Sequence, residues 1–264
     1  MIFVLDVGNS HIKCGLFEGD KLKNSWRMAT STELTSDEYG IRIVSFFKHA
    51  GVEPADVRGI IISSVIPSIN YTLQHMCAVY FDRQAMIVGP GMKTGINILY
   101  DNPRELGADR IVGAVAAYTL YGGPCIVVDF GTATTFGAVS KNGDFLGGVI
   151  CPGLKIAADA LAEGAAKLPR VELVKPDCVI AKSTVLGMQA GIIYGYVGQV
   201  DYILERIKKE MDGSPKVIAT GGLSRLIAQE SSQIDELNGL LTLIGLNLLY
   251  KKNVRTMRIE REDR

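Results

Sequence analysis

The chain has 264 residues, of which 47% are hydrophobic and 21% are charged. This composition is typical of a globular protein and excludes a disordered one. The 28 Lys and Arg residues balance the 28 Asp and Glu residues, so no net charge attracts the chain to nucleic acid or to an anionic membrane. No apolar run reaches the roughly 18 residues of a membrane span, and the N-terminus lacks the basic region of a signal peptide. We therefore expect a cytoplasmic protein with no nucleic-acid or membrane partner.

The first predicted element is an apolar strand that ends in Asp6-Val7-Gly8 and leads through a tight turn into an alternating strand, closed by Gly19-Asp20. The same arrangement returns where a strand ends in Asp129-Phe130-Gly131 and Gly143-Asp144 closes the hairpin. The two aspartates are 129 − 6 = 123 residues apart and the two turn glycines 143 − 19 = 124 apart, so one residue has been inserted. Matching hairpins at corresponding places indicate an internal duplication.

Between the hairpins, a Thr35-x-x-Glu38 capping box predicts the start of a helix. A buried strand over 59–65 and a helix over about 68–80 follow. Asp101-Asn102-Pro103 predicts the start of another helix, which runs to Tyr121 and ends at Gly122-Gly123.

In the second half, the pattern predicts a long helix over about 184–211, a strand over 216–219, a Thr220-Gly221-Gly222 turn and a helix from Ser224. Strands interleaved with helices in both halves predict two α/β lobes that face each other across a ligand-binding cleft. We assign the lobes to residues 1–122 and 123–253, and residues 254–264 to a charged, solvated tail.

Common active-site signatures are missing from the sequence, among them the P-loop, the G-x-G-x-x-G fingerprint, H-E-x-x-H and G-x-S-x-G. The three dispersed histidines do not suggest zinc, and five cysteines without a C-x-x-C pair predict reduced, buried thiols.

The two Asp-x-Gly turns remain as candidates for chemistry. Gly8 and Gly131 would let the backbone approach a ligand and turn its N–H groups towards it, which suits a polyphosphate. Asp6 and Asp129 could hold a cation that neutralises the phosphates, although each could simply close a hairpin; for the matched pair we favour phosphate binding. Lys13 is equally compatible with a phosphate contact and with solvent.

Asp109 begins a helix and could act as the base that phosphoryl transfer needs. On its spacing alone, an aspartate stabilised by the helix dipole is the better interpretation.

Several segments, taken in chain order, resemble a known family. They are Asp6-Val7-Gly8-Asn9-Ser10, Gly107-Ala108-Asp109-Arg110, Asp129-Phe130-Gly131-Thr132, Gly147-Gly148 to Pro152-Gly153, Thr220-Gly221-Gly222 and Leu241 to Leu246. Together they resemble the phosphate, substrate, adenosine and C-terminal motifs of type III pantothenate kinases, in the actin/hexokinase/Hsp70 superfamily. Ser10 stands where that family usually has Thr, which keeps the hydroxyl.

The resemblance implies a duplicated ribonuclease H-like (actin-like ATPase) fold and an ATP-dependent kinase. The reaction would convert pantothenate to 4'-phosphopantothenate, the first step of coenzyme A biosynthesis, with Asp109 as proton acceptor. It further implies Mg2+ with the nucleotide and a monovalent cation, K+ or NH4+, at Asp129. The implied ATP contacts are Asp6, Val7, Gly8, Asn9, Ser10, His11, Ile12, Lys13 and Thr132. The implied pantothenate contacts are Tyr100, Gly107, Ala108, Asp109, Arg110 and Thr184, although the sequence alone predicts Thr184 as a helix N-cap.

The resemblance also implies a homodimer. Gly187, Gly191 and Gly195 lie four residues apart on one helix face, which permits close helix packing either between subunits or within one. Two other functions stay open at this point. A non-catalytic transcription accessory protein on this fold is expected to lose acids of the motifs, and a related hydrolase or sugar kinase is expected to lack the Gly107 to Arg110 segment.

Overall fold

Strands and helices alternate along the chain largely where the hydrophobic pattern predicts them. A computed structural model describes residues 1–262, with side chains up to residue 254. The strands are β1 (Ile2–Val7), β2 (His11–Glu18), β3 (Lys21–Ala29), β4 (Gly59–Ser64), β5 (Ala85–Ile87), β6 (Asn97–Ile98), β7 (Cys125–Phe130), β8 (Ala133–Val139), β9 (Asp144–Pro152), β10 (Lys216–Gly221) and β11 (Glu236–Leu237). The α-helices are α1 (Ser36–His49), α2 (Asn70–Phe81), α3 (Ala108–Tyr121), α4 (Leu154–Gly164), α5 (Thr184–Glu210), α6 (Ser224–Ala228) and α7 (Leu241–Glu262).

Within the described residues the chain divides into two compact units. The first comprises Met1–Gly95, Asn102–Ala116 and the chain from Thr242 onwards, and the second comprises Ile96–Asp101 and Ala117–Leu241. The assignment of the duplicated lobes to residues 1–122 and 123–253 stays a prediction.

The sheet of the first unit has the strand order β3-β2-β1-β4-β5. Antiparallel pairing joins β1, β2 and β3, whereas β1, β4 and β5 run parallel. Helices α1 and α2 contribute to the same core, where the rings of Phe3, Phe47 and Phe81 lie 5.1–5.5 Å apart. The Thr35 capping box that starts α1 is formed by both of its reciprocal bonds, as predicted.

The sheet of the second unit has the order β11-β10-β7-β8-β9-β6. Read from the other edge, β9-β8-β7-β10-β11 repeats the order of the first sheet strand for strand, with the same parallel and antiparallel pairs. Strand β6 is an addition that pairs with β9. The predicted duplicated α/β fold is therefore confirmed.

The two copies differ in their first turn. Asp6 pairs with Lys13 and Asp129 pairs with Thr135, which gives separations of 13 − 6 = 7 and 135 − 129 = 6 residues. From there to the closing glycine the distances are 19 − 13 = 6 and 143 − 135 = 8 residues. Compared with the first copy, the second copy therefore has one residue fewer in its first turn and two more between that turn and its closing glycine, which gives the single net insertion.

Some local predictions were wrong. The Asp101-Asn102-Pro103 segment starts only a 3-10 turn, Pro103–Glu105, because the backbone is extended at Leu106, and the α-helix begins at Ala108. The N-cap of α5 is Ser183, whose hydroxyl accepts from the Leu186 N–H, rather than Thr184. Cys14, Cys77 and Cys125 are buried as expected, but Cys178 is exposed. The side chains of the predicted charged tail lie outside the described residues from residue 255 on.

Candidate functional site

Asp6 lies at the end of the central strand β1 and is only 6% exposed. It pairs in register with Lys13 on β2 and with Ser63 on β4. Residues paired in this way share a face of the sheet, so the carboxylate has a residue of each neighbouring strand beside it. The ammonium of Lys13 lies 3.5 Å from Asp6 Oδ2. Lys13, whose direction the sequence left open, therefore faces the acid.

Asp109 is in the first turn of α3, where its Oδ1 accepts a hydrogen bond of 2.8 Å from the Arg110 N–H. Burial raises the pKa of the Asp109 carboxyl above its ordinary value, and the negative charge of nearby Asp6 raises it further. The Arg110 backbone bond and charge oppose this rise. A raised pKa suits a carboxylate that must accept a proton near neutral pH.

The preceding glycine explains how the Asp109 carboxylate fits against the helix start. A Cβ at Gly107 would lie 2.5 Å from Asp109 Oδ1, far inside van der Waals contact. The Gly107 carbonyl also accepts the first bonds of α3, from the N–H groups of Arg110 and Ile111. The Gly107 to Arg110 segment thus forms one local arrangement around the carboxylate.

In the second unit, the strand-end aspartate again has one paired residue on each neighbouring strand, but the side chains differ. Asp129 at the end of β7 pairs with Thr135 on β8 and with Thr220 on β10. Where the first unit has the ammonium of Lys13, the second has the hydroxyl of Thr135. Gly221 follows Thr220 with a φ of +98°, and a Cβ there would lie 2.5 Å from Asp129 Oδ1. Only glycine gives the Asp129 carboxylate this space.

The two glycine turns differ from the expectation. The Gly8 N–H donates to the His11 carbonyl and the Gly131 N–H donates to the Ala133 carbonyl. Both N–H groups are therefore used inside their turns, whereas the sequence predicted that they turn towards a ligand. Neither glycine has a positive φ. A Cβ at Gly131 would meet its nearest atoms at 3.4 and 3.8 Å, which is ordinary contact. Neither the backbone nor internal packing therefore demands glycine at residue 131.

The turn that carries Thr132 is hydrogen-bonded to Gly153, the residue that follows β9. The Thr132 carbonyl accepts a bond of 3.1 Å from the Gly153 N–H. Next to it, the Thr134 hydroxyl bonds the Tyr196 hydroxyl, which donates to the Pro152 carbonyl at 3.1 Å. A tyrosine hydroxyl has one proton, so Thr134 must be the donor to Tyr196. Burial raises the pKa of Tyr196, which keeps this proton in place.

The other predicted site residues fall into two groups. Asn9, Ser10 and His11 are exposed in the first unit, at the end of the sheet where Asp6 lies. In the second unit, Tyr100 is half-buried with its ring 6.3 Å from that of Phe145, and Thr184 is the exposed first residue of α5. The structure thus brings together Asp6, Lys13 and Asp109 in the first unit.

The sequence did not single out Ser63 or Tyr196. Ser63 and the aspartate beside it are 63 − 6 = 57 residues apart, and only strand register reveals their pairing. Within residues 1–262, no helix combines the length and the apolar character that crossing a membrane requires. Among the side chains that the structure describes, up to residue 254, no group of three or more His, Cys, Asp or Glu could hold a metal ion by itself.

Comparison with known proteins agrees with the fold and the motifs. Residues 2–206 match the family model of type III pantothenate kinases. Among solved structures, the chain resembles a protein described as a Baf family transcriptional activator from Campylobacter jejuni, with a TM-score of 0.61, 20% identity, and coverage of 96% of this chain and 99% of that one.

Two further structures share the fold. They are the activator of the 2-hydroxyisocaproyl-CoA dehydratase from Clostridium difficile with bound ADPNP (TM-score 0.56, 12% identity, 97% of each chain) and the ROK hexokinase from Thermus thermophilus (TM-score 0.51, 14% identity, 95% and 99%). At these identities the likeness shows the fold, which is the predicted actin-like ATPase fold. With most of its length matched by the family model, the chain belongs to the type III pantothenate kinase family and is an ATP-dependent kinase.

Proposed function

We propose that the chain transfers the γ-phosphoryl group of ATP to the primary hydroxyl of pantothenate, with Asp109 as the general base. The observation that carries this role is the partly buried Asp109 carboxylate with its raised pKa, near Asp6 and within the segment that resembles the family's substrate motif. The pantothenate oxygen forms a bond to the γ-phosphorus, the bond to the bridging oxygen of ADP breaks, and the hydroxyl proton passes to Asp109.

We propose the remaining contacts from the family resemblance. ATP is bound by Asp6, Val7, Gly8, Asn9, Ser10, His11, Ile12, Lys13 and Thr132, and pantothenate by Tyr100, Gly107, Ala108, Asp109, Arg110 and Thr184. The exposure of Asn9, Ser10 and His11 supports a role in ligand contact, because none of these side chains is needed to fill the core.

Magnesium fits the first unit. The carboxylates of Asp6 and Asp109 lie close enough that Asp6 raises the pKa of Asp109, so two oxygen ligands of the kind that magnesium prefers are near each other. One or two carboxylates supply part of a magnesium shell, and nucleotide phosphates and water supply the rest. When bound with ATP, the ion would neutralise charge on the phosphates. Asp6 would hold and orient it.

A monovalent cation at Asp129 is supported by the contrast between the units. In the first unit, the ammonium of Lys13 lies 3.5 Å from the strand-end aspartate. In the second, Thr135 occupies the corresponding position and brings no charge. We therefore assign to Asp129 the monovalent cation, K+ or NH4+, that the family resemblance implies.

A homodimer is supported by the exposed glycines of α5. A Cβ at Gly191 or Gly195 would meet nothing within 4 Å beyond its own helix turns, and one at Gly187 only the Ala181 side chain, at 4.0 Å. This stripe is therefore not used for close packing within the described chain. Sedimentation of the wild type and of Gly191→Arg tests the proposal: we expect a dimer and a monomer, and equal masses would contradict it.

The function is tested by ADP release from ATP with pantothenate, compared with a panel of sugars, in potassium, ammonium or sodium buffer. We expect turnover with pantothenate alone, and faster turnover in potassium or ammonium. If pantothenate gives no turnover with any of these ions, the proposed substrate is wrong. Equal turnover rates in sodium, potassium and ammonium buffer would contradict only the proposed monovalent cation at Asp129. The transcription accessory alternative predicts lost acids, whereas Asp6, Asp109 and Asp129 are all present.

A further inference from the structure

Two buried hydroxyl groups occupy matching places in the two units. Ser63 on β4 and Thr220 on β10 are each 1% exposed. Neither hydroxyl has a hydrogen-bond partner among the described residues. Each pairs in register with the strand-end aspartate of its own unit, Ser63 with Asp6 and Thr220 with Asp129.

Buried hydroxyl groups are nearly always hydrogen-bonded, because leaving one without a partner loses the bonds it made to water. A single exception could be a local accident. Here the same exception recurs in both copies of the duplication, while the residue itself differs, serine in one and threonine in the other. The two residues share the hydroxyl and its place beside a carboxylate, which indicates a common need for a hydroxyl at this point.

The neighbouring serine shows the contrast. Ser64 is next in the chain, and because successive side chains of a strand alternate, it faces the other side of the sheet. Its hydroxyl donates to the Ile66 carbonyl at 3.2 Å and accepts from the Ile66 N–H at 3.1 Å. Ser64 therefore completes its bonds within the protein. Ser63, on the face of Asp6, does not.

The chemistry at Asp6 identifies a suitable partner for Ser63. Neighbouring strands lie about 4.8 Å apart, so the Ser63 hydroxyl is within reach of a ligand held by the Asp6 carboxylate. A water molecule bound to a cation directs its oxygen at the metal and its two O–H groups outward, so it acts as a hydrogen-bond donor. A serine hydroxyl can accept one such bond at its oxygen and donate its own proton to a carboxylate.

We propose that Ser63 is a further binding residue of the kinase. In the nucleotide complex its oxygen accepts a hydrogen bond from a water in the shell of the divalent cation, and its proton is donated to Asp6. The hydroxyl thereby orients both the carboxylate and the hydrated ion. This inference rests on the proposed nucleotide and magnesium site at Asp6.

The test uses the full chain as Ser63→Ala, with Ser64→Ala as the matched control on the opposite face. Thermal unfolding is measured without ligand and with magnesium and a non-hydrolysable ATP analogue. For Ser63→Ala we expect an unliganded Tm at or above that of the wild type, since no protein bond is lost. The rise in Tm on adding the magnesium complex should shrink, with about tenfold weaker binding and about tenfold lower kcat/KM.

Ser64→Ala is expected to do the reverse, with a lower unliganded Tm and the full response to ligand. With the analogue and EDTA in place of magnesium, Ser63→Ala and the wild type should bind equally. Ser63→Thr keeps the hydroxyl, as Thr220 does in the second unit, and should restore the magnesium-dependent response.

The proposal is overturned if Ser63→Ala lowers the unliganded Tm as Ser64→Ala does and binds the magnesium complex like the wild type. It is also overturned if the loss persists in EDTA, because the hydroxyl then acts on the nucleotide itself. Either result can occur while the wild type phosphorylates pantothenate, so failure here is distinct from failure of the proposed function.

Discussion

Gly221→Ala should damage both the stability of the second unit and its Asp129 site. The substitution places a Cβ at a φ of +98°, a conformation that costs an L-residue roughly 1–2 kcal/mol. The same Cβ would lie 2.5 Å from Asp129 Oδ1 and 2.6 Å from the N and O atoms of Phe130. Overpacking of this kind costs about 1–3 kcal/mol. We therefore expect the free energy of unfolding to fall by about 2–5 kcal/mol.

The activity should fall for a geometric reason. Ordinary contact begins at 3.4 Å, so the Asp129 carboxylate must retreat by 3.4 − 2.5 = 0.9 Å. A misplacement of about 1 Å at a site of this kind costs about 100-fold in rate. Turnover of pantothenate at saturating ATP is the assay for kcat, and urea unfolding followed by circular dichroism gives the free energy.

Gly19→Ala is the matched control, because Gly19 has a φ of +61° and a Cβ there would meet nothing within 4 Å. This variant should lose only the strain energy, about 1–2 kcal/mol, and keep its kcat. If Gly221→Ala destabilises the chain no more than Gly19→Ala does, or keeps kcat within about threefold of wild type, the steric argument is refuted.

Three further substitutions test the site. Asp109→Asn should keep the fold and lose about 100-fold or more in kcat. Because the pKa of Asp109 is raised in the folded state, the stability that this group contributes is full below its unfolded pKa and is lost as pH rises through its folded pKa. Urea titrations should therefore show the free energy of unfolding of the variant rising relative to that of the wild type from about pH 4 upwards. A stability difference that is constant with pH would contradict this. Gly131→Ala should leave the free energy of unfolding within about 1 kcal/mol of wild type, because its Cβ makes only ordinary contacts within the protein. It should raise the KM for ATP about tenfold, because the added methyl group would crowd the proposed nucleotide. An unchanged KM would show that no ligand approaches this turn. Thr135→Lys should place an ammonium at Asp129 as Lys13 does at Asp6, and make turnover independent of potassium and ammonium; persistent activation by potassium would exclude the cation from this carboxylate.

Local patterns were enough to predict the duplication and most elements. Each of the signals used is local in the sequence: the paired Asp-x-Gly hairpins, the Thr35 capping box and the apolar periodicity of the long helix before residue 211. The short edge strands β5, β6 and β11 were not predicted, because two or three residues carry no usable period. Their pairing depends on distant strands.

The candidate site divides in the same way. Asp6, Asp109 and Asp129 stand in recognisable motifs, whereas Ser63 gains significance only from parallel register with a strand 57 residues away. The direction of Lys13 could not be predicted either, because two-residue alternation does not say which face of the sheet meets Asp6. The use of the Gly8 and Gly131 N–H groups inside their turns depends on carbonyl positions that the sequence does not reveal.

The hydroxyl chain from Thr134 through Tyr196 to the Pro152 carbonyl has a mechanical consequence. Its direction is fixed, because each hydroxyl has one proton and each proton has one acceptor. Tyr196 belongs to α5, Thr134 belongs to β8, which follows the Thr132 turn, and Pro152 is the last residue of β9, which pairs with β8. The two bonds therefore tie the long helix to the strand that leaves the turn and to the end of the neighbouring strand. A rotation of α5 about its axis must either break a buried bond or carry Thr134, two residues beyond Thr132, with it.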